Sequence, residues 1–415
     1  MTPSSREKIG WVFYDFANSA FHLMTLTILF PLYYREIIAK GSSNPDLLWS
    51  IVIAVPICFV GLSGPVIGAF ADFRRRRKAL LVLSSLWAAI GGGVLGFIPE
   101  SSIFINSSLF ISVAFCFHVS LFMYDAFLPS VGGTDKPAFL SGIGWGLGYV
   151  GGLISMIPVY PLLKDAVLPE DSAKFALAMV IVSGYYVVFS LPSWLLLKEP
   201  KARVIENSER GHLAPLLSAW RTIRNWRAHR NLFTFLLGYY LIADGLATLT
   251  YFTSIYAKYT LGMSPKDIMI MFVIVQAVGA PSCIFGGWLA ERIGYMKVLL
   301  SCVVIWVTLS IGFAFADSYT VFYSLAVGTG LTIGTTPAIA RAIFSRMVTV
   351  ETSGEMFGFN ALCSRLSAVF GPIIFGVVAS LANQRLAVAT LAIFFCVGFV
   401  VLRVVRDPPL ASTST

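Results

Sequence analysis

Trp11, Asp15, Asn18 and His22 follow one another at i, i+4, i+7 and i+11, a spacing that puts all four on one stripe of a helix. Farther along, His118, Phe122 and Asp125 share a face, and so do Tyr240, Asp244, Thr248 and Tyr251. Carboxyl, imidazole, amide and phenol groups in such stripes can bind a small polar molecule and can hold or release a proton. No grouping for covalent chemistry accompanies them. A Gly-x-Ser-x-Gly elbow and a Walker lysine are both missing, the glycine-rich stretches do not follow a strand, and the only histidines are 22, 118, 212 and 229. The six cysteines fall in apolar stretches without metal spacing and read as small buried hydrophobes. The sequence therefore predicts no enzyme, no cofactor and no metal site.

The elements that must position these groups are strongly apolar. The 415 residues are 57% hydrophobic and 12% charged, with a mean hydropathy of +0.79, whereas soluble domains carry about 25% charged residues. That leaves too little polar surface for a soluble particle, so the lipid bilayer is the expected solvent. A helix needs about 20 apolar residues to cross the hydrocarbon. Such runs occur twelve times, near 10–34, 48–71, 78–98, 103–128, 138–163, 173–197, 232–257, 266–290, 297–316, 320–345, 355–380 and 386–405. The first is too long for a cleaved signal peptide. The expected organisation is an N-terminal six-helix bundle at 1–197, a basic cytoplasmic linker at 198–231 and a C-terminal six-helix bundle at 232–415.

Charge sets the orientation. Of the 30 Lys and Arg, 22 fall on the side of the termini and linker, seven on the opposite side, and Arg365 lies within a span. Both termini are therefore expected in the cytoplasm. The net charge of +9 reports this asymmetry, and no nucleic-acid partner is expected. Aromatic residues at predicted span ends, including Phe30, Tyr33, Tyr34 and Trp49, read as an interfacial belt. The fifth span carries Gly144, Gly148 and Gly152 at four-residue spacing, which lets a neighbouring helix approach closely.

The two halves repeat one another. Gly68-Ala-Phe-Ala-Asp72-Phe-Arg-Arg-Arg76-Arg77-Lys78 follows the second span, and Gly287-Trp-Leu-Ala-Glu291-Arg292-Ile-Gly294-Tyr-Met-Lys297 follows the eighth. Both the glycine and the acid recur after 219 residues (68 to 287, 72 to 291). Paired six-helix halves with matching loops are the pattern of the major facilitator fold. The loops resemble the Gly-x-x-x-Asp-Arg-x-Gly-Arg-Arg signature of that superfamily, with Phe73 and Arg75 departing from its Arg and Gly. Five further stretches resemble its branch of "unknown major facilitator" proteins, which includes the vacuolar amino-acid effluxer of yeast autophagy. They are Trp11 to Ala20, Tyr124 to Pro129, Ser141 to Gly152, Asp244 to Thr248 and Gly354 to Phe359. Ala340-Arg341-Ala342 departs from that branch's Ser-Arg-Ser, and Arg365 stands where a Lys is more common.

The resemblance implies that the first, fourth, seventh and tenth spans line a central cavity. Three of them hold the acids and histidines. The expected substrate or proton site is Asp244, His22, His118 and Tyr240, with Asn18 and Tyr251 nearby and Arg365 as a salt-bridge alternative for Asp244. Asp72, Gly68, Arg76, Arg77, Glu291 and Arg292 are expected to gate, with Asp15 and Asp125 as interfacial gate residues or helix caps. For both histidines, a core role stands beside the ligand role. The function so implied is secondary active transport of a small polar solute by proton-coupled alternating access, amino-acid export first. Import of peptides, muropeptides or other small metabolites is the alternative, and a non-transporting receptor or assembly scaffold is another. A monomer in a bacterial inner membrane is expected.

Overall fold

The computed structural model describes residues 5–39, 42, 45–132, 136–164, 168–169, 172–200, 227, 229–259, 261–263, 265–350, 352–367 and 370–406. Most of the linker expected at 198–231 lies outside them. The described residues form helices, with one short hairpin among them pairing β1 (Leu163–Lys164) and β2 (Leu168–Pro169) antiparallel in the loop after the fifth span.

Among the described residues, six principal helical elements precede the linker region and six follow it. They begin with α1 (Ser5–Phe21), α2 (Pro45–Arg74), α3 (Arg77–Leu95), α4 (Ile103–Asp125), α5 (Pro137–Met156), α6 (Ser172–Leu196) and α7 (Arg230–Tyr259). There follow α8 (Pro265–Ile293), α9 (Tyr295–Ala314), α10 (Tyr319–Ile333 and Thr335–Met347), α11 (Ser353–Ser367 and Phe370–Leu381) and α12 (Gln384–Leu402). Among the described residues, nine helices are long and apolar enough to cross a membrane. The other three spans are α1, α10 and α11. α1 is 17 residues long and continues as a π-helical stretch, His22–Leu29. α10 is interrupted at Gly334. π-Helical turns such as the one after Phe21 gather at functional sites.

The chain divides into two compact units, and their boundary does not follow the sequence halves. One unit holds 1–131, 147–219 and 350–362, and the other holds 132–146, 220–349 and 363–415. The first, then, takes the start of α11, and the second takes the start of α5. Inside the first unit α1 packs on α6, α3 on α4 and α6, and α2 on α4. The second repeats the pattern, with α7 on α12, α9 on α10 and α12, and α8 on α10. The internal repeat read from the loops thus extends to the packing partners.

Large apolar side chains cover the outer faces of these helices. Phe59, Leu62, Leu195 and Ile393 are all exposed, as expected where lipid tails rather than water meet the protein. Cys58 and Cys396 are exposed on such faces as well, so only Cys283 and Cys302 are the buried hydrophobes that the sequence suggested. The aromatic belt needs the same correction. Phe30 stacks on Phe110 (4.6 Å between centroids), Tyr33 on Phe175 (3.6 Å), and Tyr34 lies 5.2 Å from Trp49. Phe30, Tyr33 and Tyr34 are buried, because ring-on-ring packing in the first unit holds them more strongly than the headgroup boundary would.

Candidate functional site

The first unit holds the stripe of α1. Trp11 is fully buried, stacks on Tyr124 at 4.6 Å and donates from Nε1 to the Tyr124 carbonyl at 3.2 Å. Asp15 and Asn18 are buried together, with Asn18 Nδ2 donating to Asp15 Oδ1 at 3.4 Å. His22 is exposed and opens the π-helical stretch. Its ring lies 5.9 Å from that of Phe117, which lies 5.6 Å from His118. The two histidines therefore flank one aromatic ring, and His118 is half-buried. Asp125 is half-buried as the last residue of α4.

Sequence reasoning missed a hydroxyl cluster beside this stripe. The Tyr14 and Tyr186 hydroxyls are 2.8 Å apart, and Ser120 lies 3.4 Å from Tyr186. Tyr14 adjoins Asp15 in the chain, but nothing in the sixth span marked Tyr186 as its partner.

Asp72 and Glu291 occupy equivalent places and do equivalent things. The last turn of α2 carries Asp72, which is 4% exposed. Its Oδ1 accepts from Gly354 N at 3.1 Å and its Oδ2 from Glu355 N at 2.9 Å. Those two N–H groups are among the four that the start of a helix leaves without intrahelical partners, and an acid is favoured there. Arg77, 2% exposed, donates from Nε to Asp72 Oδ1 at 2.5 Å and from Nη2 to the Val350 carbonyl at 2.6 Å. Glu199 in turn accepts from the N–H groups of Arg77 (2.8 Å) and Lys78 (2.9 Å) at the start of α3.

In the second unit, Glu291 Oε1 accepts from Ala138 N at 2.7 Å and Phe139 N at 3.2 Å, the second and third residues of α5. Tyr295 donates its hydroxyl to Glu291 Oε2 at 2.5 Å, and the Arg346 guanidinium lies 5.3 Å from the Tyr295 ring. Arg341 reaches Ser141 Oγ at 3.0 Å and lies 5.9 Å from the Trp145 ring.

The glycines of the repeat make these crossings possible. A Cβ at Gly68 would lie 2.1 Å from the Gly354 carbonyl oxygen, and one at Gly287 would lie 2.4 Å from that of Ala138. Of the basic residues expected to gate, Arg77 is the buried one, while Arg76 is exposed. Arg292 is exposed and stacks 4.0 Å over the Trp288 ring.

The turn after α2 explains why the signature places a glycine there. Arg75 stands at that position with φ of 53°, and its counterpart 219 residues on, Gly294, has φ of 107°. A side chain in the left-handed region costs about 1–2 kcal/mol. Arg75→Gly should therefore raise stability by a net ~0.5–1 kcal/mol after the greater freedom of glycine in the unfolded chain is subtracted. The midpoint of thermal unfolding in detergent would show the gain, and an unchanged or lower midpoint would deny it.

Asp244 stands midway along α7, in the second unit, and is 2% exposed. Its Oδ2 accepts the N–H of Gly371 in α11 at 2.8 Å, and Thr248 donates its hydroxyl to the Asp244 carbonyl at 2.8 Å. Tyr240 is buried one turn earlier, its ring 5.4 Å from Tyr239. The side chains of Tyr251 and Arg365 lie outside the described residues. The site residues read from the sequence thus fall into two sets: Asn18, His22 and His118 in one unit, Asp244 and Tyr240 in the other.

The architecture is that of the major facilitator class. The human organic anion transporter MFSD10 (TETRAN) superposes with a TM-score of 0.76 at 14% identity, over 97% of this chain and all of that one. The E. coli fucose:proton symporter FucP does so with a TM-score of 0.70 at 15% identity, over 97% and 98%. Residues 48–408 match the family model described as "Vacuole effluxer Atg22 like", and the chain belongs to that family. An uncharacterized MFS-type transporter of Bacillus subtilis (strain 168), YxiO, is 27% identical over 97% of this chain and 95% of its own length. This is an integral-membrane, MFS-type transporter, and the class is one of transporters rather than enzymes.

Proposed function

We propose that the chain moves a small polar solute by alternating access driven by protons, with export of amino acids as the first assignment. The observation that carries this reading is the twinned arrangement at Asp72 and Glu291. In each, one acid at the end of a helix holds the first free N–H groups of another. Such bonds can release and re-form without unfolding either helix, which is what a gate requires. On this reading Asp72, Gly68, Arg77 and Glu291 gate the pathway at its cytoplasmic end. The exposed Arg76 and Arg292 supply surrounding positive charge, and Asp15 and Asp125 border the gate.

Asn18, His22 and His118 in one unit, and Asp244 and Tyr240 in the other, are the groups offered to solute and proton, with Tyr251 and Arg365 completing the set. Amide, imidazole and phenol groups suit a zwitterion better than an apolar solute. The family's description as an effluxer supports carriage of a solute across a membrane, and the E. coli fold relative is itself a proton symporter. The setting proposed is a bacterial inner membrane, with a monomer and both termini in the cytoplasm.

The test is thermal stability of the purified protein against single amino acids, short peptides and sugars. A ligand at a hundred times its dissociation constant stabilises the folded state by roughly 2.7 kcal/mol. Stabilisation by one or a few amino acids is the expected result. Stabilisation by peptides or sugars alone would overturn the assignment of solute.

A further inference from the structure

Asp244 has one oxygen that the transport scheme above leaves unexplained. Oδ2 accepts the Gly371 N–H at 2.8 Å, but Oδ1 is buried and has no hydrogen-bond partner among the described residues. A buried carboxylate oxygen without a partner is costly, and natural structures keep such groups where they are used. The surroundings of Oδ1 are specific. A Cβ on Gly371 would lie 2.7 Å from Asp244 Oδ1 and 2.1 Å from Thr248 Oγ1, so both oxygens crowd one glycine. The Thr248 hydroxyl proton already goes to the Asp244 carbonyl. What Thr248 Oγ1 can still offer is a lone pair.

The described charges on the helices packed against α7 are engaged elsewhere, and the Arg365 side chain on α11 lies outside the described residues. The stretch Phe370–Leu381 of α11 contains no ionisable residue. α12 turns Phe394 and Phe395 toward the adjacent Gly245, while its Cys396 is exposed and its Arg385 pairs with Asp317 at 2.7 Å. On α10, Arg341 bonds Ser141 and Arg346 bonds the Tyr295 hydroxyl. On α8, Glu291 bonds Ala138 and Arg292 stacks on Trp288.

We propose that Asp244 is the coupling-proton site, that the proton is taken on Oδ1, and that the residue works by tightening and loosening α11 at Gly371 rather than by touching the solute. The inference rests on the transport reading above and gives one residue of that site a separate duty. Ionised, the carboxylate holds the Gly371 N–H in a charge-assisted bond. A proton from water added at Oδ1 neutralises the group, and the bond to Gly371 weakens to an ordinary one. The division between the two compact units falls between Leu362 and Cys363, within α11 and ahead of Gly371. Asp244 therefore grips the stretch of α11 that belongs to its own unit. It is a positioning residue.

Hydrogen exchange of the intact protein in detergent, followed by mass spectrometry with no solute added, tests this directly. After correction for intrinsic rates, the segment around Gly371 should exchange about five- to tenfold faster at about pH 5 than at about pH 8. Asp244→Asn, which keeps the shape and the acceptor but not the charge, should exchange at the fast rate at both pH values. Gly371→Ala, which pushes Asp244 away, should do the same. A wild-type segment indifferent to pH, or an Asp244→Asn variant that keeps the wild-type pH dependence, would overturn the proposal. Stabilisation by an amino acid in the same preparation would then leave the transport reading intact and remove only the latch.

Discussion

Asp72→Ala should lower the stability of the folded protein by about 3–5 kcal/mol, the range measured when one partner of a buried ion pair is removed. The size follows from what the substitution strands. Arg77 is 2% exposed, and its Nε lies 2.5 Å from Asp72 Oδ1, so the truncation takes a carboxylate away from a buried guanidinium. It also leaves the N–H groups of Gly354 and Glu355 without the acceptors that cap α11. Asp72→Ala combined with Arg77→Met should lose less than the two singles together, by about 1–3 kcal/mol.

The mirror-image change offers an internal comparison. Glu291 is half-exposed, and its second oxygen is held by the Tyr295 hydroxyl instead of a buried arginine. Glu291→Ala should accordingly cost only about 1–2 kcal/mol, the worth of a capping residue. Thermal and denaturant unfolding of the four variants settles the matter. Equal losses at Asp72 and Glu291, or strict additivity of Asp72 with Arg77, would mean that the buried pair is not what holds the first unit's lock.

Much of this was legible in the residues. Runs of about 20 apolar residues cannot be hidden, and the 219-residue echo between Gly68-x-x-x-Asp72 and Gly287-x-x-x-Glu291 exposed the repeat. What the acids bind was not legible, because Gly354, Glu355, Ala138 and Phe139 contribute only their backbone N–H groups. The same holds for Asp244. Its described partner, the backbone N–H of Gly371, leaves no trace in residue type. The interruptions of α1 and α10 escaped for a related reason. The π-helical stretch after Phe21 and the break at Gly334 both lie inside runs whose average hydropathy reads as a single span, although Pro337, three residues after Gly334, is a signal for the second. Arg75 is a case between. The glycine of the signature and Gly294 in the second copy already marked its position as one that favours left-handed backbone.

The second large effect concerns energy coupling, and it also tests the central claim. Proteoliposomes holding the protein and a mixture of labelled amino acids would be followed for release, with the pH equal on both sides and then with acid outside. The account predicts release faster than from protein-free vesicles, and faster again when protons are supplied from outside. In Asp244→Asn the stimulation by the gradient should vanish, while exchange of labelled for unlabelled solute at equal pH continues, because the residue is assigned to the proton and not to the solute. Release no faster than from empty vesicles, for every amino acid and at every pH, would contradict the account.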